Sequence, residues 1–223
     1  MKAHLYDWIR KLNLSRTQLT IILASVYVFF SLTANIAATK VTYFGKFVMD
    51  AGIIYSLTFT WRDLIHKQLG KSAALTTIYV SAIINFLAAI YFQLAVLLPA
   101  ETQWAAAGGQ VAWEFLFGLQ IRIVLGSILA MIIAEVIDTY VYHYWTTGIG
   151  RGKPHYLRVF ISNGISIPID SIVFPIIAFL GILDWGVIFQ MFIAGVIVKF
   201  ALTIISFWMI YLVPDKPVFT RRD

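Results

Sequence analysis

Long, continuous runs of apolar residues dominate this chain of 223 residues, and short polar segments separate them. A membrane-spanning helix needs about 20 mostly apolar residues. Strands of a membrane barrel would alternate apolar and polar positions, so unbroken runs favour helices. The predicted spans are Leu19–Thr39, Phe47–Ile65, Ala73–Leu98, Ala112–Trp145, Val159–Leu183 and Val187–Leu212. The sequence therefore predicts an all-α integral membrane protein with six transmembrane helices.

The composition supports a membrane protein. Hydrophobic residues make up 60% of the chain, charged residues make up 13%, and the mean hydropathy is +0.82. A soluble domain is about 45–50% apolar and about 25% charged, so a disordered chain and a typical soluble enzyme are excluded. The chain has no cysteine, which excludes disulfides, thiolate metal sites and a cysteine nucleophile.

The distribution of basic residues predicts the orientation. Cytoplasmic loops of membrane proteins carry an excess of Lys and Arg. One set of segments carries Lys2, Arg10, Lys11, Arg16, Lys67, Lys71, Arg151, Lys153, Arg158, Lys216, Arg221 and Arg222, and the opposite loops carry Lys40 and Lys46. Both termini are therefore expected in the cytoplasm, with a segment at 1–18, a membrane domain at 19–212 and a tail at 213–223. This topology explains the net charge of +6 without a nucleic-acid partner, and the first span is expected to be retained rather than cleaved.

Several ionisable residues lie inside the predicted spans, where each costs about 2.5–3.5 kcal/mol at a helix centre. They are Arg62, Asp63, Arg122, Glu135, Asp138, Asp170 and Lys199. A rise of about 1.5 Å per residue places Asp170 and Lys199 at similar depth on consecutive antiparallel helices, so we expect them to pair. Two interpretations stay open. The pair is a structural ion pair, or Asp170 contacts a substrate and Lys199 sets its charge state.

The fifth span offers the first candidate binding stretch. Asn163, Ser166 and Asp170 are spaced three and four residues apart and share one helix face. Pro168 and Pro175 donate no backbone hydrogen bond, so each frees a carbonyl one turn earlier, which is tolerated at membrane depth where it lines a cavity. The alternative is a kinked helix that packs through small residues.

Two carboxylates in the fourth span also share a face. Glu135 and Asp138 repel each other, which tends to raise the pKa of one of them, and such a pair could carry a coupling proton. Neutralisation by Arg62 or Arg158 is the equal alternative. Asp63 in the second span and Asn35 near the outer end of the first span are further candidates.

The sequence lacks the patterns of an enzyme. The run Gly148–Lys153 does not have the Walker spacing and is followed by Pro154. The histidines form no metal-ligand cluster in the sequence, and no nucleophile-elbow motif occurs. We therefore predict no catalytic residue, no metal and no cofactor.

Several short motifs resemble one known family. Ser56-Leu57-Thr58-Phe59, followed by Asp63 and Gly70, is similar to the "PLTF…D…E.YG" stretch of the queuosine precursor transporter family, also called the vitamin uptake transporter family. The segment Glu135–Asp138, the run Arg158–Phe174 and Lys199 fit the same family. Two positions depart from its pattern, because Ser56 replaces a proline and Lys67 replaces an acidic residue.

The resemblance implies a six-helix inner-membrane carrier that imports 7-cyano-7-deazaguanine (preQ0) or 7-aminomethyl-7-deazaguanine (preQ1). A guanine-like edge presents two parallel N–H donors, which one carboxylate accepts together. Asp170 is the first candidate, followed by Asp138 or Glu135, while Asn163 offers a donor and an acceptor and Phe174 could stack the ring. The predicted substrate-binding residues are Asn35, Asp63, Glu135, Asp138, Asn163, Ser166, Asp170, Phe174 and Lys199.

The expected mechanism is secondary transport, coupled to protons, where coupling exists, through Glu135 and Asp138. One alternative is the substrate-binding subunit of a modular ATP-driven (ECF-type) importer, which would dock its partners through Ala34 and Ala38. A membrane-embedded enzyme and a purely structural membrane partner are further alternatives. The expected partners are a small 7-deazapurine and the lipid bilayer, and a homodimer is left open.

Overall fold

The computed structural model describes residues 15–147 and 155–212, and this part of the chain is mainly helical. Most of the predicted segment 1–18 and all of the tail 213–223 lie outside it. The helices are α1 (Arg16–Ala37), α2 (Ser56–Leu69), α3 (Lys71–Leu97), α4 (Thr102–Ala106), α5 (Gly109–Phe117), α6 (Gln120–Thr147), α7 (His155–Phe179) and α8 (Trp185–Leu212). The strands are β1 (Val41–Phe44) and β2 (Phe47–Asp50), and a short 3₁₀ helix covers Gly52–Tyr55.

Four stretches of the described chain are long and apolar enough to cross a membrane. They are Arg16–Ala37, Ser72–Leu97, Gly109–Ala134 and Trp185–Ile205. They correspond to the first, third, fourth and sixth predicted spans. In the region of the fifth, Asn163–Phe179 forms a shorter apolar helix.

The predicted second span, Phe47–Ile65, is wrong as a continuous helix. Its first residues form β2, which pairs with β1 in an antiparallel hairpin, and only the later part belongs to α2. The two-residue loop between the strands begins at Gly45, whose φ of +62° suits the turns that match the twist of a hairpin. Helix α2 has 14 residues, or about 21 Å, against about 30 Å of hydrocarbon. The all-α prediction therefore needs this one correction.

The predicted fourth span, Ala112–Trp145, is interrupted rather than continuous. Helix α5 ends at Phe117 and α6 begins at Gln120. The backbone N–H of Gly118 still donates to the Glu114 carbonyl, so the chain direction is kept through the interruption. A side chain at Gly118 would approach the same carbonyl to 2.6 Å, so glycine is needed there.

The chain divides into two compact units. Among the described residues, those within 1–36, 52–87 and 201–223 form the first unit, and those within 37–51 and 88–200 form the second. In the first unit, the Trp61 indole donates to the Leu23 carbonyl at 2.9 Å and meets the Phe30 ring edge-on. These contacts hold α2 against α1.

The core of the second unit joins the hairpin to the helices around it. Buried side chains from the hairpin region, α6, α7 and α8 form one cluster, made of Ala38, Val48, Ile123, Ala178, Phe179 and Met191. Helices α6 and α7 also approach closely at Gly126, where an added Cβ would lie 3.3 Å from the Phe174 carbonyl oxygen. Small residues allow such close packing in membrane helices, and this packing fixes α7, which carries most of the candidate site.

Candidate functional site

The centre of the candidate site is an ion pair between α7 and α8. The Lys199 ammonium lies 2.5 Å from Oδ2 of Asp170, and the two side chains are 14% and 4% exposed. The pairing expected from their matching depth is confirmed. Because both groups are largely removed from solvent, the attraction between them offsets part of the cost of burying two charges.

Ser171 is the second partner of Lys199. The ammonium donates to Ser171 Oγ at 3.2 Å, and the serine side chain is buried. Gly195 makes this arrangement possible, because an added Cβ would lie 3.3 Å from the same Oγ. The missing side chain at Gly195 lets α8 approach α7 one turn before Lys199.

The Asp170 carboxylate keeps acceptor capacity. An ionised carboxylate has about four lone-pair positions on its two oxygens. Within the described part of the chain, Lys199 uses one position on Oδ2, and no described group donates to Oδ1. The carboxylate can therefore accept one or two N–H groups from a ligand while the Lys199 charge stays beside it.

Helix α7 places further predicted residues along its length. Ser166 is buried one turn before Asp170, and Asn163 is half-buried. Phe174 lies one turn after Asp170 and meets the ring of Phe179 edge-on, with 6.1 Å between the ring centres. Phe174 therefore has an aromatic packing partner within the core of its unit, and its stacking on a substrate stays a prediction.

Three of the predicted acids lie on α2 and α6. Glu135 and Asp138 belong to α6 and Asp63 belongs to α2, but their side chains lie outside the described part of the structure. Their roles in substrate binding and proton coupling therefore remain predictions.

Asn35 takes part in a polar network that sequence reasoning missed. Its amide donates to Oδ1 of Asn85 at 2.7 Å, and the amide of Asn85 donates to Ser31 Oγ and to the Ser81 carbonyl. All four residues are buried in the first unit, and the network links α1 to α3. The signal in the sequence was Asn85 near the middle of an apolar span, because a buried amide needs partners.

Arg122 is a second residue whose role the sequence left open. Its guanidinium donates to the carbonyls of Ile177 and Leu180, at 3.2 and 2.7 Å. These carbonyls lie at the carboxyl end of α7, where unpaired acceptors and the helix dipole favour a cation. Arg122 thus stabilises the end of α7, whereas the nearby Gln120 is buried with no hydrogen-bond partner for Oε1 among the described residues.

Comparisons with known proteins indicate a transporter family. The family model described as "Putative vitamin uptake transporter" matches residues 50–213. A curated relative, the "Probable queuosine precursor transporter" of Bacillus subtilis (strain 168), is 30% identical over 185 residues, which cover 80% of this chain and 77% of the relative. The chain belongs to the vitamin uptake transporter family. No solved structure gives a significant match.

Membership of the vitamin uptake transporter family identifies a multi-pass membrane protein of a transporter family. The matched region contains α2, the acids of α6, all of α7 and Lys199. It begins at Asp50, so Asn35 and most of the hairpin lie outside it. The Asp170–Lys199 pair therefore lies within the part of the chain that the family model matches.

Proposed function

We propose that this protein is a secondary carrier that imports a 7-deazaguanine precursor of queuosine, preQ0 or preQ1, across the inner membrane. The family supports transport of a small molecule, and the Bacillus subtilis relative bears the name of a queuosine precursor transporter. The observation that carries the proposal is the buried Asp170 carboxylate, which Lys199 neutralises while Oδ1 accepts nothing from the described residues.

The carboxylate chemistry suits a guanine-like edge. Such an edge presents two parallel N–H donors, and a carboxylate accepts both in a fork of two charge-assisted hydrogen bonds. Asp170 is 3% exposed as a residue, so water competes little for these bonds. Asn163 and Ser166, which lie on the same helix face, would reach the remaining polar atoms of the base.

Lys199 keeps a hydrogen-bond acceptor when the substrate binds to Asp170. Its ammonium already donates to Ser171 Oγ at 3.2 Å. When the substrate occupies Oδ2 of Asp170, the ammonium can keep Ser171 and stay close to the carboxylate. Binding then exchanges one hydrogen bond for others and leaves no buried charge without a partner.

Coupling and orientation belong to the same proposal. Glu135 and Asp138 are proposed to carry the coupling proton along α6, and both termini are proposed to face the cytoplasm. The pattern of basic residues along the sequence supports that orientation.

Uptake of a neutral and a cationic precursor tests whether Lys199 faces the substrate. The nitrile of preQ0 is neutral, whereas the aminomethyl group of preQ1 is a cation at neutral pH. Two charges about 6 Å apart interact by about 3 kcal/mol at an effective dielectric constant of about 20. Replacing Lys199 by Met should therefore raise the preference for preQ1 over preQ0 by roughly 10- to 100-fold.

The matched control is Lys46→Met, which removes an exposed lysine from the hairpin and should leave the preference unchanged. The measurement is competition between the two precursors for uptake in cells that cannot make either one. An unchanged preference in a Lys199→Met protein that still transports would show that the lysine does not face the substrate. Absence of uptake by the wild-type protein would refute the proposed function itself.

A further inference from the structure

The hairpin of β1 and β2 carries an aromatic tip on a buried base. At the base, Val48 belongs to the core cluster of the second unit and Met49 is 4% exposed. At the tip, Tyr43 is 78% exposed, and Phe44 and Phe47 are 49% and 38% exposed. The base is thus fixed to the helices, while three aromatic side chains project from the molecule.

Two lysines accompany these aromatic residues. Lys40 precedes β1 and Lys46 lies in the turn, and both are exposed. The tip, residues 43–47, contains no acidic residue, whereas Asp50 lies at the base of the hairpin opposite Val41. Tyr and Lys together are typical of the level of the lipid headgroups, where an aromatic ring sits at the boundary and an ammonium meets phosphate.

The position of the hairpin along the chain places it near the level of the lipid headgroups. Helix α1 is long and apolar enough to span a membrane and ends at Ala37, and β1 begins at Val41. Four Cα-to-Cα steps reach at most about 14 Å. The base of the hairpin therefore lies within this distance of the end of a spanning helix, and each four-residue strand adds only about 14 Å more.

We propose that the tip of this hairpin is a membrane-interface anchor that inserts Tyr43, Phe44 and Phe47 among the headgroups of the bilayer that holds the protein. The positive charge of Lys40 and Lys46 makes an anionic lipid surface the preferred partner. Anchoring would hold the hairpin's base beside α6, α7 and α8, whose buried side chains form one core cluster with Val48. The inference does not depend on which substrate is transported.

The experiment uses the absence of cysteine from the chain. A single Phe44→Cys substitution in the full-length protein is labelled with the fluorophore NBD and reconstituted into vesicles of phosphatidylcholine with or without phosphatidylglycerol. Spin-labelled lipids, with the label at the headgroup or deep in the acyl chain, then quench the fluorophore. Ile83→Cys is the depth control, because Ile83 is 59% exposed on the spanning helix α3.

The expected result is stronger quenching at position 44 by the headgroup label and stronger quenching at position 83 by the deep label. Phosphatidylglycerol should strengthen the headgroup quenching about twofold or more, and Lys40→Gln with Lys46→Gln should remove that increase. Tyr43→Cys, at the most exposed tip position, repeats the test if the Phe44 variant does not fold. A fluorophore that neither label quenches, or that only a second labelled copy of the protein quenches, would overturn the proposal.

Discussion

Replacing Asp170, Lys199 or both separates the stability of the pair from its role in transport. Removing one partner of a buried ion pair leaves an uncompensated charge and costs about 3–5 kcal/mol. Both side chains are more than four-fifths buried, so this range applies with little reduction by solvent. Asp170→Asn and Lys199→Met should each lower the free energy of unfolding by about that amount. Since 1 kcal/mol shifts the melting temperature of a chain of this size by about 2–4 °C, we expect a fall of roughly 6–20 °C.

The double variant Asp170→Asn/Lys199→Met has no buried charge at this position. Its melting temperature should return to within a few degrees of the wild-type value, because exchanging a whole buried pair for uncharged groups is often neutral. Its uptake of labelled preQ0 should be lost, as in Asp170→Asn, because the carboxylate that accepts the base is gone.

The assay combines thermal unfolding of the purified proteins in detergent with uptake by cells that express each variant at equal level. A double variant that recovers both stability and uptake would show that the pair is purely structural. Single variants as stable as the wild type would show that the two charges are not mutually dependent.

Three further changes test other parts of the structure. Asn85→Leu leaves Asn35 and Ser31 without their hydrogen-bond partner, so thermal unfolding should show a loss of about 1–3 kcal/mol. Gly126→Val forces a branched side chain against the α7 backbone and should cost about 1–3 kcal/mol in the same assay, whereas Gly164→Ala, with nothing within 4 Å, should cost nothing. Two backbone N–H groups at the start of α4 donate to the exposed Glu101 carboxylate and lower its pKa. The pKa of the Glu101 carboxyl is lower in the folded protein than in the unfolded chain. The stabilisation by this cap is therefore fully present at pH values above the unfolded pKa, and it is lost as the pH falls through the folded pKa. Hydrogen exchange of those two amides should accelerate over that range relative to their intrinsic rates, and Glu101→Gln should abolish the change. If the two amides were equally protected in Glu101→Gln and in the wild-type protein over that pH range, this account of the cap would be contradicted.

The sequence predicts those features that depend on depth and on side-chain type. Apolar runs of sufficient length mark most of the spanning helices, because the thickness of the bilayer sets their length. The Asp170–Lys199 pair could be predicted because a constant rise per residue places both groups at one depth.

Other features depend on contacts that no side-chain pattern reveals. The acceptors of Arg122 are backbone carbonyls at the end of α7. Every residue has a backbone carbonyl, so the sequence does not mark these two as acceptors. The hairpin was missed because its strands have only four residues each, and β2 opens the apolar stretch that was predicted as the second span. The sequence signal for the hairpin was Gly45, which is the first of the two turn residues.

Uptake by the purified protein in liposomes tests the central claim most directly. The protein alone, with no ATP and no other subunit, should move labelled preQ0 into the vesicles in a saturable manner, and Asp170→Asn should abolish this uptake while the protein remains inserted. If preQ0 enters only after ATPase subunits and ATP are added, or enters equally well through Asp170→Asn, the protein is not a carrier that works through this carboxylate.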